Sequence, residues 1–153
     1  MAAPLPLLIA VVGPTSAGKS ALALRLAERY ATELLSADSR QVYRRLNIGT
    51  NKPSPGERMR VRHHFIDERD LTEPFHAGVF AEEALARLEK IFAQQPVAVL
   101  AGGTGLYVRA LLRGLDAMPT VPVAIRRALE AEYAAAGLGP LLEELRIKDV
   151  ATY

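Results

Sequence analysis

A glycine-rich run near the amino end constrains this chain more than any other part of its sequence. The run fits the pattern G-x-x-x-x-G-K-[ST] and consists of Gly13, Pro14, Thr15, Ser16, Ala17, Gly18, Lys19 and Ser20. The apolar run 7–12 before it is typical of one buried strand. Leu22, Leu26 and Tyr30 after it recur at helical spacing. A strand before and a helix after are the context of a phosphate-binding loop, so the pattern predicts a site for a di- or triphosphate.

The residue types in this loop suit the chemistry. Gly13 and Gly18 allow the backbone to curl so that successive N–H groups point at phosphate oxygens. The loop leads into a helix N-terminus, where unpaired N–H groups and the helix dipole favour an anion. We expect Lys19 to contact the outer phosphate and Ser20 to be a ligand of a divalent metal ion. An ordinary glycine turn between a strand and a helix is the alternative interpretation.

Composition limits the class of protein. The chain has 153 residues, half of them hydrophobic and 24% charged, with a formal net charge of +2, as in one globular domain. Cysteine is absent, which excludes disulfides, thiol nucleophiles and thiolate metal sites. No window approaches the roughly 18 apolar residues of a membrane span, and the amino end lacks the positive charge of a signal peptide. We therefore expect a cytoplasmic protein that is not bound to a membrane.

Predicted strands and helices alternate along the chain. After the loop and its helix they are a strand at 32–37, a helix at about 77–94, a central strand at 97–101, and helices at 106–112 and 120–137. This alternation implies parallel βαβ units. The expected fold is therefore α/β, a P-loop NTPase-like parallel sheet flanked by helices. Residues 1–137 are expected to form this core, and 138–153 a short C-terminal segment.

Asp38 directly follows the predicted strand 32–37. Ligands of open α/β sheets bind beyond the carboxyl ends of the strands, so Asp38 is expected beside the phosphate loop. The strand 97–101 ends in glycines and lacks the carboxylate with which nucleotide hydrolases hold metal, which disfavours motor-type and switch-type hydrolysis. Asp38 suits transfer to an acceptor whose nucleophile gives up a proton. A helix cap or a turn residue is the alternative role.

Thr104 lies between glycines at a second predicted strand-to-helix turn. Its hydroxyl and the neighbouring N–H groups are placed to contact a leaving oxygen, and a plain capping threonine is the alternative. His63 and His64 look like a metal pair, but adjacent residues of a strand point to opposite faces. A zinc site is therefore not expected there.

Residues 51–56 are predicted as a loop from their Pro, Gly and Ser content, and residues 58–67 as an exposed edge strand or a mobile loop. Two groups of basic residues flank that loop. The first group is Arg40, Arg44 and Arg45, and the second is Arg58, Arg60 and Arg62. They are suited to contact with an RNA backbone, and a solvated surface is the alternative interpretation.

Taken together, these segments resemble the tRNA dimethylallyltransferases, also called tRNA isopentenylpyrophosphate transferases. The resemblance covers about residues 7–129. Besides the phosphate loop, it rests on the segments Asp38–Tyr43, Ile48–Pro53, His63–Asp67 and Gly102–Tyr107. It implies transfer of a dimethylallyl group from dimethylallyl diphosphate to N6 of an adenine beside the tRNA anticodon.

The resemblance also implies roles for single residues. The loop would hold the prenyl diphosphate rather than ATP, with Mg²⁺ bound through Ser20 and with Lys19 neutralising charge on the departing diphosphate. Asp38 matches the family's general base on N6, and Thr104 the group at the bridging oxygen of the diphosphate. The flipped-out adenine and the rest of the tRNA would contact Asp38, Ser39, Arg40, Gln41, Thr104 and Arg126.

Other functions share some of these features. An adenylate isopentenyltransferase would use the same loop and aspartate on free AMP, ADP or ATP. A small-molecule or nucleotide kinase of the P-loop type also places a carboxylate after the second strand, and a non-catalytic RNA- or partner-binding protein is a third alternative. Chains of the resembled family are longer and continue through a mostly helical tRNA-binding part, so residues 138–153 are expected to depart from the family pattern.

Overall fold

The structure is a computed structural model that describes residues 5–116 and 121–153. Its strands are β1 (Leu7–Val12), β2 (Leu34–Ser36), β3 (His63–His64) and β4 (Val97–Gly102). Its helices are α1 (Lys19–Arg29), α2 (Pro55–Arg60), α3 (Ala77–Phe92), α4 (Gly105–Arg113), α5 (Val123–Ala136) and α6 (Leu138–Lys148).

The four strands form one parallel sheet in the order β1-β4-β2-β3. In the register of the sheet, Val12 pairs with Gly102 and Ser36 with Ala101. The carboxyl ends of β1, β2 and β4 therefore lie at one edge, which brings together the phosphate loop, the segment that begins with Asp38, and the turn that contains Thr104. The predicted α/β fold is confirmed, as is the central position of the strand at 97–101.

Helices cover both faces of the sheet. Alternate residues of β2 and β4 point to opposite faces, so both strands contribute apolar side chains to two buried clusters. On the side of α1, the buried residues are Ala23, Leu24, Ala27, Leu34, Val61, Val99 and Ala101. On the side of α3 and α4, the buried cluster contains Leu35, Phe65, Phe80, Ala84, Leu88, Leu100, Tyr107 and Leu111. Nearly continuous apolar sequence in β4 is what burial on two faces requires.

The helix predicted after the loop is confirmed as α1, but the prediction of a buried strand before the loop is wrong. β1 is not fully buried, because within the described residues it pairs only with β4, and Leu7 and Val12 are more than half exposed. The face of α1 that enters the core carries Ala23, Leu24 and Ala27, whereas the larger Leu22 and Tyr30 remain exposed. The small side chains of Ala23 and Ala27 let α1 approach β4 closely. A sequence pattern of large apolar residues does not identify this buried face.

The segment predicted as a loop at 51–56 instead leads into α2. Ser54 accepts a hydrogen bond from the N–H of Glu57, and the Glu57 carboxylate accepts one from the N–H of Ser54. This reciprocal pair is a capping box, and Pro55 occupies the first helical position, where its missing N–H costs nothing. The following stretch forms the short edge strand β3, one of the two alternatives predicted for it.

The chain divides into two compact units, Met1–Leu115 and Asp116–Tyr153. The second unit contains α5 and α6, which contact each other and bury none of their residues. The predicted division at residue 137 thus falls within this unit, at Gly137, whose φ of 75° turns the chain between the two helices. Residue 120, the predicted start of the helix before Gly137, lies outside the described residues. In the part of the chain that the structure describes, no helix is both long and apolar enough to cross a membrane.

The ends of β2 and β4 approach each other unusually closely at Gly102. A Cβ atom built on Gly102 would lie 2.2 Å from the carbonyl oxygen of Ala37 and 2.8 Å from its Cα. The same place holds two backbone hydrogen bonds, from Ala37 N–H to Ala101 O at 2.7 Å and from Thr104 N–H to Ala37 O at 3.1 Å. Only glycine fits here, because the opposing atoms are backbone and have no rotamer to change.

Gly102→Ala should therefore destabilise the protein by about 1–3 kcal/mol, the usual cost of overpacking a tight site. Gly103→Ala is the matched control, because a Cβ at Gly103 meets nothing within 4 Å. Urea unfolding followed by circular dichroism measures both variants. Equal stability of the two variants would contradict the close approach of β2 and β4.

Candidate functional site

The phosphate loop joins β1 to α1 in a strongly curled conformation. Gly13, Ser16 and Gly18 have φ angles of 150°, 66° and 76°, and Gly18 occupies the N-cap of α1. No side chain caps this helix, and its first turn carries no acidic residue. In the described part of the chain, the N–H groups of this first turn therefore have no capping side chain, which is the arrangement that receives an anion at a helix N-terminus.

Lys19 and Ser20 begin α1 directly after this loop. The Lys19 ammonium donates a hydrogen bond to the carbonyl oxygen of Pro14 at 2.5 Å, so it lies over the loop rather than pointing away. Ser20 is exposed in the first turn of the helix. Both side chains thus lie beside the loop, and their contacts with phosphate and metal stay predictions.

A cavity of about 760 Å³ lies at the carboxyl edge of the sheet. Four segments provide most of its lining: the phosphate loop with the start of α1, the end of β2 with its following loop, the segment before α2, and the end of β4. Glu57 of α2 and His63 of β3 complete it. The sequence-predicted site residues that line the cavity are Thr15, Ser16, Ala17, Gly18, Lys19, Ser20, Asp38, Ser39, Arg40, Gln41 and Thr104. The structure thus brings together most of the residues chosen from the sequence. Gly13 and Pro14 shape the loop, and Arg126 lies on α5 in the second unit.

The carboxylate of Asp38 closes a turn and keeps one oxygen available. Its Oδ1 accepts hydrogen bonds from the N–H groups of Arg40 at 2.9 Å and Gln41 at 3.2 Å. Its Oδ2 has no hydrogen-bond partner among residues 5–116 and 121–153. The turn role considered for Asp38 is therefore present, and it does not exclude the acid–base role. Two backbone donors hold the carboxylate still while its other oxygen is available in the cavity.

Thr104 is linked to the loop after β2 rather than to its own helix. It occupies the N-cap position of α4, but its side chain makes no capping hydrogen bond. Instead its Oγ1 accepts a hydrogen bond from the N–H of Ser39 at 3.0 Å and lies 3.4 Å from the Ser39 hydroxyl. The alternative of a plain capping threonine is thus wrong, because the close approach at Gly102 places the hydroxyl against Ser39.

Gln41 uses its whole side chain within the protein. Its amide oxygen accepts a hydrogen bond from the Ser36 hydroxyl at 2.8 Å. Its amide nitrogen donates to the carbonyl oxygens of Thr50 at 3.0 Å and Asn51 at 2.9 Å. Both donors of the amide are therefore occupied, and Gln41 connects the end of β2 to the segment that forms another wall of the cavity.

Sequence reasoning missed several residues of the cavity, among them Ser36, Glu57 and His63. His63 pairs in register with Leu34 on β2, which places it on the face of the sheet toward α1. Its Nδ1 lies 2.8 Å from the carbonyl oxygen of Val61, and burial lowers the pKa of His63, which favours the neutral ring. The signal for its position was strand register, which a single sequence does not show.

The two histidines are separated as expected for neighbours on a strand. His64 pairs with Glu33 at 2.5 Å, away from the Val61 contact of His63. Among the described residues, no group of three His, Cys, Asp or Glu side chains is placed to hold a metal ion. Most of the basic residues noted in the sequence form ion pairs with acidic side chains, namely Arg44 with Asp70, Arg58 with Asp67, Arg60 with Glu28, and Arg62 with Glu33.

Comparisons with known proteins agree on one family. A family model described as IPP transferase matches residues 41–153. The tRNA dimethylallyltransferase of Cytophaga hutchinsonii is 47% identical over 145 residues, which are 95% of this chain and 48% of the relative. The chain therefore spans about half the length of the curated relatives it matches.

Solved structures give the same result. The full-length tRNA isopentenylpyrophosphate transferase of Bacillus halodurans is 35% identical, with a TM-score of 0.69 over 96% of this chain and 48% of that one. A eukaryotic dimethylallyltransferase described as acting on tRNA is 28% identical, with a TM-score of 0.71 over 82% of this chain and 32% of that one. The family match also includes residues 138–153, for which a departure from the pattern was expected. On this evidence the chain belongs to the IPP transferase family.

Proposed function

We propose that this chain is the diphosphate-binding catalytic part of an enzyme that prenylates tRNA. The reaction transfers a dimethylallyl group from dimethylallyl diphosphate to N6 of an adenosine beside the anticodon. The observation that carries the proposal is a cavity that the phosphate loop, Asp38 and Thr104 line together. The names of the relatives support the choice of substrates, and tRNA as a substrate supports a cytoplasmic location.

In the proposed reaction, the phosphate loop stabilises the leaving group, which is diphosphate. As the bond between the allylic carbon and the bridging oxygen breaks, its electron pair goes to the diphosphate. The backbone N–H groups of the loop and the Lys19 ammonium stabilise that developing charge. In this proposal the Thr104 hydroxyl, which donates to the Ser39 hydroxyl at 3.4 Å, turns to donate to the bridging oxygen instead. The loop thus holds a prenyl diphosphate, although its pattern is the one that also binds ATP.

The residues present fit a bound Mg²⁺. Ser20 offers its hydroxyl in the first turn of α1, and Mg²⁺ usually takes only one or two protein ligands together with phosphate oxygens and water. A cluster of three carboxylates is therefore not required. Bound through Ser20 and the diphosphate, the ion would supply further neutralisation of negative charge.

The acceptor side of the reaction depends on Asp38. Adenine N6 is a weak nucleophile, because its lone pair is delocalised into the ring. As N6 forms its bond to the allylic carbon, it becomes more acidic and passes a proton to the free Oδ2 of Asp38. The adenine has to leave the base stack to reach this cavity, which costs least in a single-stranded loop. Ser39 and Arg40 line the cavity beside Asp38, and Arg126 is proposed as a further tRNA contact.

Incubation of the protein with labelled dimethylallyl diphosphate and either tRNA or AMP tests the proposed function. Label is expected in tRNA, at an adenosine beside the anticodon, and not in AMP. Labelled AMP with unlabelled tRNA would identify an adenylate isopentenyltransferase instead. Transfer of phosphate from ATP to a small acceptor would identify a kinase, and tRNA binding without transfer a non-catalytic RNA-binding protein.

Lys19→Ala should raise KM for dimethylallyl diphosphate and lower kcat, because it deletes the point charge that faces the outer phosphate. Lys90→Ala, at an exposed position of α3, is the control for loss of one positive charge. Steady-state kinetics with varied donor measures the effect. Unchanged donor kinetics in a folded Lys19→Ala variant would reject the role of the phosphate loop.

Asp38→Asn should lower kcat about 10²- to 10⁴-fold, the usual contribution of a positioned acid–base group, which corresponds to about 3–5 kcal/mol of barrier. Asparagine keeps an Oδ1 that can accept from the N–H groups of Arg40 and Gln41, so the turn and the thermal stability should persist. Asp70→Asn is the control, because Asp70 is an exposed partner of Arg44.

The three candidate roles of Asp38 differ in what the variant loses. A metal ligand would show weakened Mg²⁺ and donor affinity that recovers at high Mg²⁺, and a purely structural turn residue would show a lower Tm with kcat within a few-fold. Measurement of Tm, donor affinity and kcat on one preparation separates them. A near-normal kcat would remove Asp38 from the mechanism.

A further inference from the structure

Lys52 is a lysine with a largely buried side chain that lies outside the phosphate loop and takes no part in the reaction described above. Its side chain is only 9% exposed. Its ammonium donates to the carbonyl oxygen of Tyr43 at 2.6 Å, to Asn47 Oδ1 at 3.0 Å and to Asp67 Oδ1 at 2.6 Å. A lysine ammonium has three N–H donors, and each of them is matched by an acceptor of the protein. Lys52 therefore has no donor left for a substrate.

The acceptors of Lys52 belong to two separate parts of the chain. Tyr43 and Asn47 lie between β2 and α2, whereas Asp67 follows β3. Asp67 extends the connection further, because its Oδ2 accepts a hydrogen bond from Arg58 at 2.6 Å and its backbone N–H donates to the Gln41 carbonyl at 3.1 Å. Burial raises the pKa of Asp67, but the hydrogen bonds from Lys52 and Arg58 outweigh it and hold that pKa below its ordinary value.

The segment that Lys52 holds forms one wall of the cavity. Gly49, Thr50 and Asn51 line the cavity just before Lys52, and Gly49 and Asn51 have φ angles of 75° and 51°. Two hydrogen bonds from Gln41 fix this wall to the end of β2. The Lys52 ammonium fixes the amino-terminal part of the same segment through its hydrogen bonds to Tyr43 and Asn47. Gly49 adopts its angle freely, whereas a non-glycine residue such as Asn51 keeps a left-handed conformation when its surroundings determine it.

We propose that Lys52 is a positioning residue, which holds the 43–51 segment as the acceptor-binding wall of the site. The phosphate loop is built on β1 and α1 and has no hydrogen bond to this segment within the described residues. Loss of the Lys52 contacts should therefore weaken binding of the RNA acceptor and leave diphosphate binding intact. This inference rests on the proposed function, because it takes the acceptor to be the anticodon stem-loop of a tRNA.

Lys52→Met tests the inference, because methionine keeps an unbranched chain of similar length and removes all three donors. We expect KM for a tRNA anticodon stem-loop to rise about tenfold or more, given the cost of losing hydrogen bonds to a charged group. KM for dimethylallyl diphosphate should stay within about twofold, a change below 0.5 kcal/mol. Lys90→Met, on the exposed side of α3, is the matched control.

Amide hydrogen exchange on the 153-residue chain gives a readout that does not depend on activity. The N–H groups of residues 43–51 should exchange faster in Lys52→Met than in wild type, whereas those of α1 and β4 should keep their protection. The double variant Lys52→Met/Asp67→Asn removes the carboxylate charge that Lys52 would otherwise leave unpaired. The double variant should show the same faster exchange of residues 43–51 even if Lys52→Met alone folds poorly.

The outcomes separate this inference from the proposed function. Equal losses for donor and acceptor, an unchanged acceptor KM, or unchanged exchange of residues 43–51 would each overturn the positioning role. Failure of the wild-type chain to transfer label to tRNA would instead reject the proposed function. In that case the exchange data still decide whether Lys52 holds the wall of the cavity.

Discussion

The close backbone contact between the ends of β2 and β4 is the constraint on which the site depends. Ala37 gives its N–H to Ala101 and accepts the N–H of Thr104, and the absent side chain of Gly102 leaves room for both bonds. Asp38 and Thr104 are far apart in sequence, and this contact makes them neighbours through Ser39. The Asp38 carboxylate and the Thr104 hydroxyl thus line one cavity, because β2 and β4 end next to each other in the register of the sheet.

The cavity has two kinds of wall, which are held by different forces. The phosphate loop is curled by its own backbone and ends at a helix N-terminus, so it offers partial positive charge without a dedicated scaffold of side chains. The segment before α2 has no such regularity. Side chains hold it instead, with an amide at Gln41 and an ammonium at Lys52 that each saturate their donors on protein acceptors. The first wall suits a fixed anion, and the second suits a shaped organic acceptor.

Local patterns made the phosphate loop and the ends of the strands predictable. Gly13–Ser20 needs only its own spacing, and Asp38 and Thr104 follow from the rule that parallel strands present their carboxyl ends together. The buried face of α1 was missed because Ala23 and Ala27 are small. The start of α2 was missed because a proline and a glycine suggested a loop, although Ser54 and Glu57 carry the capping signal. Contacts of Gln41 and Lys52 depend on tertiary structure, and no local pattern reveals them.

The open edge of β1 has a consequence for the loop that follows it. Within the described residues β1 pairs on one side only, and its six residues are all apolar and uncharged. Such an edge carries a row of unpaired N–H and C=O groups to which another strand can add. Since Val12 is followed directly by Gly13, any strand that adds along β1 acts on the anchor of the phosphate loop. Within the described residues, the first residue of the phosphate loop is thus attached to a strand that is supported on one side only, by β4.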